Sequence, residues 1–210
     1  MKKSAENKCE IGIDEAGRGP LAGPVSVGAF IFLKKSAKKL FNGVKESKQL
    51  REEKREEWFL KIDKAKKAGL VDFSVKLISN KIIDDKGLSF AIKKGLSGAL
   101  SSVVGKNEKK KDKKDKKDFF VLLDGGLKAP ADYLNQKTII KGDEKIQVIA
   151  LASICAKVLR DRYMRKISLK FPEYKFDIHK GYGTKGHYDA IKKFGILDIH
   201  RKSFLKNILK

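Results

Sequence analysis

Apolar positions along the 210-residue chain change period several times, and each change marks an element. Runs rich in Val, Ile and Phe at 10–14 and 25–33 read as two strands, with the Gly- and Pro-containing stretch 17–24 between them. Ser47 is placed to cap a helix whose apolar positions include Leu50, Trp58, Leu60 and Ile62, ending near residue 67. Residues 71–77 alternate as a strand, and Leu88, Ala91, Ile92, Leu96 and Leu100 recur at helical spacing toward residue 104. Short strands follow at 119–123 and 138–140, then a long helix over 147–169 carrying Ile149, Ala152, Ala156 and Leu159. Thr184 caps a helix through 194, and 204–209 forms a final helical turn. No internal repeat interrupts this order. Strands first, then strand–helix alternation, then a helical tail predict an α/β fold: a mixed β-sheet flanked by helices over 1–169, with a C-terminal helical segment over 170–210.

Composition narrows the class. Lys plus Arg is 49 against 26 Asp plus Glu, a formal net charge of +23, which points to nucleic acid, an anionic membrane surface or acidic proteins as partner. The conspicuous tract 106–118 holds eight Lys and four acids and contributes only +4, so most of the charge lies in sequence that folds. With almost no apolar residues, that tract reads as an exposed loop or a frayed helix extension. Cys9 and Cys155 provide neither a disulfide framework nor a cysteine-based zinc site, which fits a reducing, cytoplasmic setting. Asp14, Glu15 and Arg18 break up the first apolar segment, against a signal peptide. The longest apolar run, 148–156, is far short of the about 20 residues that span a bilayer.

Four acids fall where chemistry is often found. Asp14 and Glu15 end the first strand before a Gly-rich turn, Asp124 ends the strand 119–123, and Asp143 follows the strand 138–140 just before a helix. Each has a plainer explanation: a polar strand end, or for Asp143 a helix N-cap. Yet strand ends in an α/β sheet converge on one edge, where clefts form. Carboxylates gathered there repel one another unless cations neutralise them, and hard oxygen ligands select Mg²⁺ or Mn²⁺ over zinc. Two such ions about 4 Å apart suit phosphodiester hydrolysis, one activating a water and the other stabilising the leaving oxygen. Lysines spread over the surface would meanwhile hold the phosphates.

Two loops remain. Gly17, Arg18 and Gly19 form either a tight turn with a solvated arginine or a main-chain reader of a phosphate or a ribose 2′-OH, the group that separates RNA from DNA. They are not part of a P-loop, because Gly-x-x-x-x-Gly-Lys-Ser/Thr is absent. Tyr182, flanked by Gly181 and Gly183, is either a partly exposed packing ring or a surface that stacks on a sugar or base. His179, His187 and His200 lack compact metal-ligand spacing and read as capping, packing or substrate-side groups.

Several segments together resemble ribonuclease HII: IDEAGRGPLAGPV at 13–25, ESKQL at 46–50, LDG at 123–125, KGD at 141–143, ASICAKVLRD at 152–161, HKGYGT at 179–184 and IHRKSF at 199–204. They occur in order over nearly the whole chain, and the first is long and specific. The resemblance implies a ribonuclease H-like fold and endonucleolytic hydrolysis of the RNA strand of RNA–DNA hybrids. It also implies nicking 5′ to single ribonucleotides embedded in duplex DNA, leaving 3′-OH and 5′-phosphate ends, a ribonucleotide excision repair activity. It assigns Asp14, Glu15, Asp124 and Asp143 to catalysis and to two Mg²⁺ or Mn²⁺ ions. Asp14 and Asp124 are expected to bridge or anchor the metals, with Glu15 and Asp143 completing the shell. Gly17, Arg18 and Gly19 are matched to sensing the 2′-OH, Tyr182 to the sugar at the RNA–DNA junction, and Ser47, Lys48 and Lys180 to phosphate contacts. A monomer with no membrane partner is expected. The arginine-containing loop, and the short stretch before Asp14, favour this type over the related ribonuclease HIII. Departures are the Lys-rich insertion, a 19-residue spacing from Asp124 to Asp143 that is slightly long, and an end soon after Phe204 that leaves no expected clamp-binding peptide.

Two rivals explain part of the pattern. A non-catalytic basic RNA- or ribosome-binding protein accounts for the charge but not for acids at strand ends, and would retain a labelled hybrid without cutting it. Another ribonuclease H-like nuclease, such as a junction resolvase, would cleave all-DNA substrates.

Overall fold

The computed structural model describes residues 9–45, 47, 49–108 and 115–205, so Lys48 and most of the final turn lie outside the described residues. Among the described residues five strands form one sheet: β1 (Cys9–Ala16), β2 (Val25–Phe32), β3 (Val71–Ile78), β4 (Phe119–Asp124) and β5 (Gln136–Ile139). Their order is β3-β2-β1-β4-β5. The first three pair antiparallel, while β4 lies parallel to β1 and β5 parallel to β4. The mixed sheet expected from the chain order is therefore present.

Strand periodicity sorts the side chains onto two faces. Ile11, Ile13, Val25, Val27, Val121 and Leu123 pack with Ile92, Leu96, Leu100 and Val103 of the helix that follows the short α2 (Asn80–Lys86). This helix, α3, spans Leu88–Glu108. On the other face Phe30, Phe32, Phe73 and Leu122 meet Phe59 and Ile62 of α1 (Glu52–Lys67) and the apolar stripe of α5 (Gln147–Ser168), with α4 (Gly142–Lys145) leading into it. Each such fully buried side chain contributes about 1.5–3 kcal/mol. A third cluster joins Leu21 and Ala22 to Met164, Tyr174, Phe176 and Ile191. This ties the turn after β1 to α5, α6 (Phe176–His179) and α7 (Lys185–Phe194).

α5 sits directly on the sheet because two strand positions lack side chains. A Cβ on Gly12 would fall 2.2 Å from the Val148 carbonyl oxygen, and one on Gly28 would fall 2.6 Å from that of Ala152. Any larger residue would lift the helix.

Several local expectations change. Ser47 does not cap α1: the helix begins at Glu52, Arg51 occupies the cap position, and the Ser47 hydroxyl is bonded to Ser153 instead. Asp143 is not an N-cap either; it lies inside the first turn of α4, whose cap position is Lys141. β5 begins at Gln136, because Gln136 pairs with Val121. Thr184 does cap α7, its side chain accepting the His187 N–H at 3.3 Å. α3 continues to Glu108, into the Lys-rich tract, and Asp115, Lys116 and Lys117 on the far side of that tract are exposed. Among the described residues no helix is long and apolar enough to cross a membrane.

Candidate active site

The register of the sheet builds the acidic centre. Gly12 pairs with Leu122 and Ile13 with Leu123 across parallel β1 and β4, so the next rung brings Asp14 beside Asp124. Both carboxylates follow the even-numbered positions onto the face that α5 covers. β5 then ends, Lys141 takes a left-handed conformation (φ 54°), and the chain turns into α4, which carries Asp143. The turn is held to the site, since the Gly142 N–H donates to Asp124 Oδ1 at 2.7 Å. Ligand oxygens of Asp14, Asp124 and Asp143 all lie within 4.8 Å of one another.

Asp14 and Asp143 are each 3 % exposed. Burial, and after it repulsion from Glu15 and Asp124, holds the Asp14 carboxyl well above the usual carboxylate range. Two hydrogen bonds act the other way. The Glu15 N–H donates to Asp14 Oδ1 at 2.7 Å, and the Ser153 hydroxyl donates to the same carboxylate. Ser47 stands behind Ser153, with the two hydroxyl oxygens 2.8 Å apart. Ser47, Ser153 and Asp14 thus form one chain of donors pointing toward the carboxylate.

Glu15, one residue on, takes the opposite face of β1, so it lies beside the three-carboxylate cluster and not within it. Its Oε1 pairs with Arg18 at 2.9 Å, while Oε2 is buried without a hydrogen-bond partner. A buried, unpartnered carboxylate oxygen next to three crowded carboxylates is a donor set short of cations. All-oxygen ligands of this kind fit Mg²⁺ or Mn²⁺.

The loop after β1 is fixed from beneath. Gly17 has φ +87°, and Gly17 and Arg18 turn their carbonyls onto buried Arg201, which donates to them at 2.7 and 2.8 Å and to the Gly23 carbonyl at 2.9 Å. Arg160, also fully buried, holds the carbonyls of Pro24, Lys180 and Ala22. The Arg18 side chain itself is exposed. Tyr182 is 41 % exposed and stands opposite this loop: a Cβ on Gly19 would lie 3.9 Å from its Cε1. Arg18 also borders a cleft with Ser89, Lys93, Gly126 and Lys128.

The three residues matched to phosphate contact fall differently. Lys48 lies outside the described residues. Ser47 is 3 % exposed and belongs to the Asp14 chain just described. Lys180 is 7 % exposed, with its ammonium directed inward to Glu52 Oε2 at 3.1 Å and to the Asp177 carbonyl. Ser153, Arg160 and Arg201 contribute to the site in ways their sequence neighbourhoods do not single out. Ser153 and Arg160 are seven residues apart on the buried stripe of α5, and polar residues on an apolar helical face were the available signal. Arg201, in an irregular segment, gave none.

Carboxylates at the adjacent ends of two central parallel strands, under a buried helix on a mixed sheet, fit the metal-dependent nucleases of the ribonuclease H-like class. Comparison with known proteins narrows the class. The sequence profile of the ribonuclease HII family matches residues 11–207. A ribonuclease HII of Caldicellulosiruptor bescii is 46% identical over 198 residues, covering 94% of this chain and 87% of that protein. The crystal structure of ribonuclease H2 from Pyrococcus horikoshii OT3 superposes with a TM-score of 0.66 at 25% identity, covering 93% of each chain. The ribonuclease HIII named Bst-RNase HIII, solved in complex with Mn²⁺, shares the fold at 18% identity and a TM-score of 0.65, over 96% of this chain and 66% of that one. The chain belongs to the ribonuclease HII family, and it is a metal-dependent ribonuclease with ribonuclease H endonuclease activity.

Proposed function

We propose that the protein nicks duplex DNA on the 5′ side of single embedded ribonucleotides and also cuts the RNA strand of RNA–DNA hybrids, leaving 3′-OH and 5′-phosphate ends. The observation that carries this reading is the pairing of the Gly17–Arg18–Gly19 loop with Tyr182 across a narrow gap, on the chain segment that leads out of the carboxylate cluster. One side of that gap is main chain, suited to a hydroxyl that both donates and accepts; the other is an aromatic ring suited to a sugar.

Asp14, Asp124 and Asp143, with Glu15 beside them, hold two Mg²⁺ or Mn²⁺ ions in this reading. When bound, such ions supply activation of a water and stabilisation of the departing 3′-oxygen. The chain does the rest. Ser153 and the Glu15 N–H orient Asp14, and Gly142 orients Asp124. Arg201 and Arg160 fix the carbonyls of the first loop, so its outward groups meet the ribose without rearrangement. Arg18, Lys93 and Lys128 line the adjoining cleft and bind substrate phosphates. The segment 170–210 contributes Tyr182 and completes the substrate surface.

The test is a labelled duplex with one embedded ribonucleotide, compared with an all-DNA duplex and a continuous hybrid, in Mg²⁺, in Mn²⁺ and in chelator. The reading expects a single metal-dependent cut 5′ to the ribonucleotide and none in all-DNA. Retention without cutting in every metal, or cleavage of the all-DNA duplex, would refute it.

A further inference from the structure

The three histidines of the C-terminal segment form a cluster that the reaction itself does not use. The His179 and His187 rings stack with centroids 4.4 Å apart, and the His187 and His200 Nε2 atoms approach to 3.1 Å. His187 and His200 are fully buried. Two imidazoles in this contact share one proton, and the backbone decides which carries it. The Leu197 N–H can only donate, and it meets His200 Nδ1 at 2.8 Å, nearer than the Leu197 carbonyl oxygen at 3.2 Å, which already accepts the His200 N–H at 2.9 Å, so His200 holds its proton on Nε2. That proton is donated to His187 Nε2, which leaves the His187 proton on Nδ1. His187 Nδ1 lies 2.9 Å from the Tyr182 carbonyl and donates to it. A one-way chain of hydrogen bonds therefore runs from Leu197 through two neutral rings to the main chain of Tyr182. His179 continues the bracing, with its Nε2 at 2.7 Å from the Tyr174 carbonyl and its Nδ1 accepting the Gly181 N–H at 3.2 Å.

The segment that carries His200 also reaches the other loop. His200 forms an antiparallel bridge with Ala22, the Gly23 N–H donates to the Ile199 carbonyl at 2.9 Å, and the Arg201 N–H donates to the Leu21 carbonyl at 2.7 Å. Arg201, the next residue, holds the Gly17 and Arg18 carbonyls. Residues 200 and 201 thus point to opposite loops from one short strap.

We propose that the His187–His200 pair is a positioning device for Tyr182, and that the strap 199–201 sets the separation between Tyr182 and the Gly17–Arg18–Gly19 loop, and so the discrimination of a single ribonucleotide. The proposal rests on the reading of Tyr182 as the residue that packs on the junction sugar. His187 and His200 are positioning residues, acting through the Tyr182 main chain. Continuous hybrid, which offers a ribose at every register, depends less on that separation than a lone ribonucleotide does.

The experiment measures kcat and KM on a duplex with one embedded ribonucleotide and on a continuous hybrid, in Mg²⁺ at pH 7.5. The ratio of the two kcat/KM values is compared among the parent protein, Tyr182→Ala, His187→Phe, His187→Asn and His200→Leu. His187→Phe keeps a packed ring but loses the donor to Tyr182, and the ratio is expected to fall about tenfold, mainly through kcat, as in Tyr182→Ala. In His187→Asn the amide nitrogen takes the place of Nδ1, and the ratio recovers to within about threefold of the parent. His200→Leu cuts the chain from the other side and lowers the ratio by about threefold, which keeps the test available if His187→Phe fails to fold. A parent-like ratio in His187→Phe or His200→Leu, or an Asn variant as defective as Phe, overturns the proposal while Tyr182→Ala still shows its fall. If Tyr182→Ala itself leaves the ratio unchanged, the reading of Tyr182 fails and the proposal fails with it.

Discussion

Gly12 offers the sharpest link between packing and chemistry, because one added methyl group there acts on the acidic centre without touching a carboxylate. In Gly12→Ala the new Cβ would lie 2.2 Å from the Val148 carbonyl oxygen, whereas ordinary contact begins near 3.4 Å, so α5 must recede by about 1 Å. The obstacle is helix backbone, so no rotamer change relieves it. Overpacking of this kind costs about 1–3 kcal/mol. The same retreat carries Ser153 away from Asp14 and shifts α4 with Asp143, since α4 leads directly into α5. A displacement near 1 Å in a catalytic constellation costs about a hundredfold in rate. Thermal unfolding and Mg²⁺-dependent cutting of a hybrid, assayed well below the variant's melting temperature, measure the two effects separately. Gly105→Ala is the control: it lies within α3 with open space around its Cβ, and it should stabilise by about 0.5–1 kcal/mol. A Gly12→Ala protein with parent stability and parent activity would refute the claim that α5 rests on bare strand backbone and thereby sets the carboxylate spacing.

Other outcomes follow from the same geometry. Ser153→Ala removes a donor to Asp14 and leaves the Ser47 hydroxyl unpaired; kcat on hybrid is expected to drop about tenfold with little change in KM, and an unchanged kcat would contradict the orienting role. Burial lowers His187 from 6.5 to about 4, so its neutral ring binds fewer protons folded than unfolded. Its contribution to stability is complete above pH 6.5 and is lost as pH falls toward about 4. Asp14, shifted upward, contributes in the opposite direction, so metal-free thermal melts of parent and His187→Phe are compared, in which the Asp14 part cancels. The parent is expected to lose more stability between pH 6.5 and 5 than the variant; parallel curves would contradict a neutral His187.

The apolar pattern made the sheet and its long helices legible because strand alternation and the α5 stripe are strong periodic signals. α2, only seven residues long, carries too little stripe to be read from the sequence. The proximity of Asp14 and Asp124 is a matter of parallel register, which periodicity does not encode, although both residues were recognisable as strand ends. Lys180 shows the reverse problem: its sequence neighbourhood suggested a phosphate contact, but Glu52 on a distant helix draws its ammonium inward. The buried arginines were hidden for a related reason. Their partners are main-chain carbonyls of loops far along the chain, 178 residues away for the Arg201–Gly23 bond, and carbonyls leave no mark on side-chain composition.

The central claim is that carboxylates gathered by the β1–β4 register perform metal-dependent phosphodiester hydrolysis in a protein whose positive charge holds the substrate. Asp14→Asn tests it most directly, since the amide preserves shape while removing the charge that a divalent cation needs. Cutting of a duplex with one embedded ribonucleotide and binding of that duplex are measured together in Mg²⁺. The account predicts that Asp14→Asn binds the duplex with parent-like affinity and does not cut it. Turnover by Asp14→Asn near that of the parent would contradict it.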